Sequence, residues 1–426
     1  MAADPQEPNS RSASASGAPP RPKSGLSRNV IVLGIVSLLT DISSEMTLTL
    51  LPLFLLNTLG VRTAVIGLIE GVAETTAGFT RIFSGWLSDV WGRRKSLTLI
   101  GYALSAVSKP FLYVANTWPT VLGARFSDRL GKGIRTSPRD ALIADSSADG
   151  RRGLSFGFHR AADSAGAFIG LGAAAIIVYL MQHNAHLLQK GVFRELVLWG
   201  MIPAFLAVAI LALFVRETAR ARQKTAPPRL SFGDLDARFR RFVVIIVIFT
   251  LGNSSDAFLV LRAQNVGLTV FAIALALVAF NAVYALVATP AGALSDRIGR
   301  TRVIAAGWAF YAAIYLGFAL ARTGAHIWVL YALYGVYYGM AEGTARALVG
   351  DVVRPDQRGT AYGIFNAAVA VTALPASIIA GALWQGVGGW HGLGPSAPFY
   401  FGAAMSALAL VMLLAWLPTA NRSQGG

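Results

Sequence analysis

The chain has 426 residues, 54% of them hydrophobic and only 14% charged, with a mean hydropathy of +0.55. Soluble domains carry about 25% charged residues, so several water-soluble domains are excluded and one membrane unit is expected. No cysteine is present, which rules out a disulfide framework, a thiol nucleophile and a Cys-ligated metal. The net charge of +16 gathers in loops on one side of the expected membrane, a topology signal rather than a nucleic-acid footprint.

Residues 1–28 are rich in Pro, Ser and Ala, lack the apolar centre of a signal peptide, and read as a disordered cytoplasmic tail. From Asn29 onward, apolar runs follow one another at the length of roughly 20 residues that a bilayer requires. In the first half, residues 29–215, they are Val30–Leu56, Ala64–Leu87, Leu97–Ala115, Val121–Ala144, Leu154–Leu180 and Leu196–Val215. In the second half, residues 242–417, they are Val243–Val266, Val270–Leu294, Val303–Ala321, Ile327–Val349, Ala361–Gly386 and Phe399–Leu417. Residues 216–241 between the halves are polar and basic, with Pro227 and Pro228, and read as a cytoplasmic linker; residues 418–426 form a second tail. Lys and Arg crowd the tails and the even-numbered loops, which places both termini in the cytoplasm.

The breaks between spans carry a repeat. Gly85–Lys95 reads GWLSDVWGRRK and Gly292–Arg302 reads GALSDRIGRTR, an offset of 292 − 85 = 207 residues. Asp145–Gly153 is echoed in the same way by Asp351–Gly359, and the SerSerGlu at Ser43–Glu45 by the SerSerAsp at Ser254–Asp256. Period matching of this kind is a specific signal. The G-x-L-S-D-x-x-G-R pattern resembles the loop 2–3 signature of the major facilitator superfamily, and its echo resembles the loop 8–9 copy.

The resemblance covers about Asn29 to Leu417 and implies an all-α polytopic membrane protein. Its two six-helix bundles would be related by a pseudo-two-fold axis, with the solute site between them at mid-membrane. It also implies a gate on the cytoplasmic side, in which Gly85, Asp89, Gly92 and Arg93 join Asp145, and Gly292, Asp296, Gly299 and Arg300 join Asp351. Antiporters of the superfamily often carry a Gly-Pro pair on span 5; Leu154–Leu180 contains no proline, which counts against a drug antiporter.

Several charges stand where a lipid-facing helix tolerates none. On span 4, Arg125, Asp128, Arg129, Lys132, Arg135 and Arg139 fall within an arc of about 120° at 100° per residue. A central charge facing lipid costs at least about 2.5–3.5 kcal/mol, so this stripe faces a wet cavity or acidic partners. Depth suggests two layers. The outer one holds Glu70, Glu74, Lys109 and Arg125; the central one holds Asp41, Glu45, Lys132, Arg135, Arg160 and Asp163, with Arg129 on the same stripe. A self-neutralising salt-bridge network is the bland alternative for any single pair.

The second half offers fewer charges, Asp256 and Arg262 on span 7 and Glu342 and Arg346 on span 10, beside Asn281 and Asn366. Tyr331, Tyr334, Tyr337 and Tyr338 supply either stacking surface or simple interhelical packing. Gly67, Gly71, Gly78 and Gly85 on span 2 and Gly166 and Gly170 on span 5 allow close helix contact. His183 and His186 lie in an outward loop, too few for a metal site, and no cofactor is expected.

These features imply a secondary active transporter of a small polar, anionic organic solute, driven by protons and acting as a monomer in the cytoplasmic membrane. Glu45, Asp41 and, in the repeat, Asp256 are the candidate proton-coupling carboxylates. A proton-driven efflux antiporter for drugs or metabolites is the alternative. No nucleophile motif, metal-ligand cluster or extra soluble domain supports an enzyme or a receptor.

Overall fold

The computed structural model describes residues 26–147, 151–217, 236–353 and 357–417. The expected first tail up to residue 25, the linker at 218–235 and the tail from 418 onward lie outside the described residues. The surroundings of Gly292 and the side chains of Asp296, Glu342 and Arg346 lie outside them too.

Among the described residues, twelve helical spans follow in order: α1 Arg28–Thr58, α2 Thr63–Trp91, α3 Arg94–Val114, α4 Trp118–Ser146, α5 Arg152–Gln182 and α6 Lys190–Phe214, then α7 Ala237–Asn265, α8 Val270–Ile298, α9 Arg300–Leu320, α10 Gly324–Val352, α11 Arg358–Gln385 and α12 Ala397–Trp416. Nine of these helices are long and apolar enough to cross a membrane; α2, α4 and α10 fall short. α2 and α4 fall short because they carry the ionic residues described below.

Local chemistry sets the helix ends. Ser27 accepts from the Val30 N–H at the start of α1 and Asp236 from the Arg238 N–H at the start of α7, as N-caps do. Gly92, at φ 62°, closes α2 in the left-handed conformation that glycine adopts without penalty. The expected seventh span is not continuous. α7 runs Ala237–Gly252, unwinds, and resumes at Ala257–Asn265. Gly252, Asn253, Ser254, Ser255 and Asp256 supply the reason, since Asn, Ser and Asp side chains offer the backbone alternatives to the helix ladder. The SerSerGlu counterpart lies inside the unbroken Arg28–Leu48 stretch of α1.

Packing obeys the pseudo-two-fold axis. In the first half α1 lies on α5 and α6, α2 on α4, and α3 on α4 and α6; in the second, α7 lies on α11 and α12, α8 on α10, and α9 on α10 and α12. The halves meet through two pairs that the axis exchanges, α2 with α11 and α5 with α8. Glycine makes the first pair tight: a Cβ on Gly67 would lie 2.1 Å from the Ser377 carbonyl oxygen, and one on Gly78 2.2 Å from the Ala370 Cβ. Thr63 donates to the Gly381 carbonyl at 2.9 Å and Thr75 to the Ala370 carbonyl at 2.6 Å.

Further contacts between the halves gather at the end away from the two termini. There Leu51–Leu53 packs on the second segment of α7, and the Val270 N–H donates to the Ala185 carbonyl at 3.0 Å. The gap between the halves therefore opens toward the termini side, and Glu74, Lys132 and Arg160 are exposed.

Candidate functional site

α4 is wedged between α2 and α3. Gly131 sits against the Gly101 carbonyl of α3, and Gly133 against Ala77 and Thr80 of α2. Its charged stripe consequently splits three ways. Toward α2, Arg125 pairs with Glu70, both almost fully buried, and Arg129 reaches Glu74 at 3.2 Å. Toward α3, Arg135 is buried, lies 4.5 Å above the Tyr102 ring and donates to the Ser105 hydroxyl at 2.6 Å. Toward the gap, Lys132 is exposed, and Arg139 pairs with its neighbour Asp140 at 2.9 Å.

The expected outer layer is thus divided. Glu70 and Arg125 come together and Glu74 turns to Arg129. Lys109, buried on α3, lies 3.4 Å from the Thr47 hydroxyl with Asp128 among the charged groups around it. Arg135, expected in the central layer, faces α3 rather than the gap, because it sits at the edge of the arc next to the crossing at Gly101.

The α1–α5 crossing builds the centre. A Cβ on Gly166 would meet the Asp41 Cβ at 3.1 Å, and one on Gly170 would meet the Glu45 Cβ at the same distance. The glycine pair lets α1 lie directly on α5 and brings Asp41 and Glu45 to that seam. Asp163, one turn before Gly166, accepts a hydrogen bond from the Ser37 hydroxyl, and His159, one turn earlier, faces Asp163 with Nδ1 at 3.5 Å from Oδ2. The charged groups around Asp41 are Asp163, Lys132, Glu45 and Arg135. Glu45 accepts from the Thr49 hydroxyl at 2.7 Å. Arg160 reaches across the gap to the Tyr284 hydroxyl of α8 at 2.5 Å.

The second half contributes one carboxylate at the break in α7. Asp256 is exposed, accepts from the Tyr334 hydroxyl at 2.8 Å, and looks across the gap toward Glu74, Glu70 and Glu45. Tyr331, Tyr334 and Tyr337 are buried, so they pack helices and do not line a stacking surface. The Tyr311 hydroxyl lies 3.2 Å from the Gly252 carbonyl and 3.2 Å from Asn253 Oδ1, which braces the break. Arg262 is structural: it caps the end of α9 through the Phe318, Ala319 and Ala321 carbonyls.

At the termini side the loop motif differs from expectation by one residue. Arg94, not Arg93, pairs with Asp89 at 3.1 Å and with Asp145, and it also donates to the Ala141 carbonyl at 3.1 Å. Gly92 turns the chain so that Arg93 precedes the first residue of α3 and is exposed, while Arg94 enters the helix on its buried side. A Cβ on Gly85 would lie 3.3 Å from the Ser137 Cβ of α4. In the second copy Gly299, at φ 94°, makes the turn, and Arg300 pairs with Asp351 at 3.1 Å.

Sequence reasoning passed over Ser37, His159, Asp140 and Arg94. For two of them a signal was present: Ser37 and His159 each stand four residues before an intramembrane aspartate, on the same helix face.

Two helical bundles related by a two-fold axis, meeting around a charged gap that is closed at one end, define a membrane-embedded solute transporter. The Major Facilitator Superfamily model matches residues 33–261 and again 241–426, and the chain belongs to that family. An MFS-type transporter of Methanocaldococcus jannaschii is 34% identical over 91% of this chain and 95% of its own length. A protein of Cupriavidus pinatubonensis described as a probable 4-methylmuconolactone transporter is 26% identical over 62% of this chain and 61% of its own length. A point mutant of the nucleoside transporter NupG superposes with a TM-score of 0.76 at 14% identity, over 91% of this chain and 99% of that one, a likeness of fold.

Proposed function

We propose that the chain is a proton-coupled permease of the cytoplasmic membrane, with both termini cytoplasmic, which acts as a monomer and moves a small polar organic anion by alternating access. The observation that carries this reading is the exposed cation Lys132 among the charged groups around the α1 carboxylate Asp41, with Arg160 exposed and bonded across the gap to Tyr284. Ammonium and guanidinium groups recognise carboxylate or phosphate. An anion that settles on those cations weakens their hold on the carboxylates, so proton and solute load together. One charge moved across 100 mV supplies about 2.3 kcal/mol. The likeness to a transporter described for 4-methylmuconolactone supports a small organic solute.

A second reading, proton-driven efflux of drugs or metabolites, draws on Asp256, an exposed carboxylate facing Glu45, Glu70 and Glu74. A cationic solute held there would compete with the proton, which is antiport. A thermal-stability screen against a metabolite library identifies the solute, because a ligand at 100 times its dissociation constant adds about 2.7 kcal/mol. In proteoliposomes Glu45→Gln, and next Asp41→Asn, then abolish uphill pH-driven accumulation while counterflow exchange persists. If both variants accumulate solute like the parent, the coupling site lies elsewhere.

A further inference from the structure

His159 is the one histidine within the bundle core among the described residues, and it takes no part in the reading above. It is buried. Its Nδ1 faces the Asp163 carboxylate, 3.5 Å away, and its Nε2 is buried with no hydrogen-bond partner among the described residues. A carboxylate only accepts, so the neutral ring that suits this setting carries its hydrogen on Nδ1 and leaves a bare lone pair on Nε2. The charged groups that face the ring are Arg139 and Asp140 from α4 and Asp163 and Arg160 from its own helix. From α1, Ser37 donates to the other oxygen of Asp163, and Asp163 is one of the charged groups around Asp41, which packs on Gly166 one turn further along α5.

We propose that His159 is the proton entry to the coupling site, passing protons between the open termini side of the gap and an Asp163–Asp41 carboxylate pair. The proposal rests on the proton-coupled reading and names the route by which that site fills and empties. His159 lies nearer the start of α5 than Asp163, and Asp140, one of the charged groups facing the ring, is half-exposed. The transfer balances. When a fluctuation of the termini side bares the buried Nε2 to water, a proton from that water forms the Nε2–H bond, the Nδ1–H bond breaks, and that proton passes to Asp163 Oδ2. Asp163 then shares it with Asp41, and release runs the same steps backward. A proton on Nε2 finds no acceptor among the described residues, so the ring is a stopping point and not the store. Ser37 holds the Oδ1 side of Asp163 and leaves Oδ2 toward the ring.

The test uses the proton itself as the probe. The full chain in lipid is followed by infrared spectroscopy of the protonated carboxyl band, at equilibrium across pH and after a pH jump. The parent is expected to show a titrating band that both Asp41→Asn and Asp163→Asn diminish. His159→Gln is expected to keep the equilibrium band but to slow its rise at least tenfold, with free imidazole in the buffer restoring the rate. An unchanged rate in a folded His159→Gln protein overturns the proposal. Should that variant fail to fold, Asp163→Asn decides: a band of undiminished amplitude overturns the Asp163 step, and a reduced one supports it. A band that Asp41→Asn removes but Asp163→Asn does not would sink this route and leave proton coupling at α1 intact. No titrating band in the parent would instead bring down the proton-coupled reading as well.

Discussion

In the first half, α2 and α4 meet through ionic pairs, Glu70 with Arg125 and Glu74 with Arg129. Among the described residues, the helices in the equivalent place in the second half, α8 and α10, meet through rings: Phe280 stacks on Tyr334 with centroids 5.4 Å apart and meets Tyr338 edge-on at 5.6 Å. One backbone plan thus carries two kinds of adhesive. Aromatic packing is stable without water, fixes the shape of a helix pair and asks for no counter-charge. Ionic pairs in a membrane are weak reasons for stability, but their partners can be exchanged, and a transporter that loads and unloads protons needs groups whose partners change. The second half reads as the mould and the first as the moving charge.

The largest effect expected from this contrast comes from cutting an ionic pair. Glu70→Ala leaves Arg125 buried without its carboxylate, and Arg125 Nε and Nη1 already lack partners among the described residues. Breaking a buried pair on one side costs about 3–5 kcal/mol, whereas replacing both members with apolar groups of similar volume is often neutral. Unfolding in detergent should therefore show a large loss for Glu70→Ala and recovery in Glu70→Leu with Arg125→Met. A single substitution that unfolds like the parent would mean the pair is solvated and the contrast between halves is only cosmetic.

The next effect is smaller and tests the aromatic side. Tyr311→Phe keeps the ring and its stacking on Tyr315 at 4.0 Å but removes the hydroxyl that braces Gly252 and Asn253. One neutral hydrogen bond is worth about 1 kcal/mol net. Tyr331→Phe serves as the control, because the Tyr331 hydroxyl is buried with no partner among the described residues; its removal should be neutral or slightly stabilising. Equal losses in the two variants would show that the Tyr311 brace does not set stability around the α7 break.

The architecture was legible in the sequence because a membrane span is a one-dimensional signal: a run of about 20 apolar residues needs no partner to be recognised. The half-chain repeat was legible for the same reason. Which way each charge turns was not. Arg125 and Arg135 lie on one stripe of α4, yet one faces α2 and the other α3, because α4 is gripped on both sides by Gly131 and Gly133 contacts. That is a property of three helices at once. The exchange of Arg93 for Arg94 has a similar cause: two adjacent arginines follow a left-handed glycine, and only the turn decides which of them enters the helix. The break in α7 was the more readable miss, since Gly-Asn-Ser-Ser-Asp spells it out.

The smallest effect separates the two copies of the loop motif. Both pair an arginine at the start of a helix with an aspartate at the end of another, but their surroundings differ. The Arg94 side chain is 7% exposed against two carboxylates, while Arg300 is 27% and Asp351 53% exposed. Exposed pairs are worth about 0.2–1 kcal/mol, and salt weakens them further as the screening length falls from about 10 Å at 0.1 M to about 3 Å at 1 M. A double-mutant cycle of Arg300→Gln with Asp351→Asn should give a coupling in that range at low salt and close to none at high salt. The matching cycle of Arg94→Gln with Asp145→Asn should give a larger coupling that survives added salt, since burial shields it from ions. Because the chain has no cysteine of its own, single cysteines placed near each loop can report opening of the termini side by labelling rate in the same variants. If Arg300 and Asp351 couple more strongly than Arg94 and Asp145, the second half and not the first carries the stronger latch, and the division into mould and moving charge would have to be reversed.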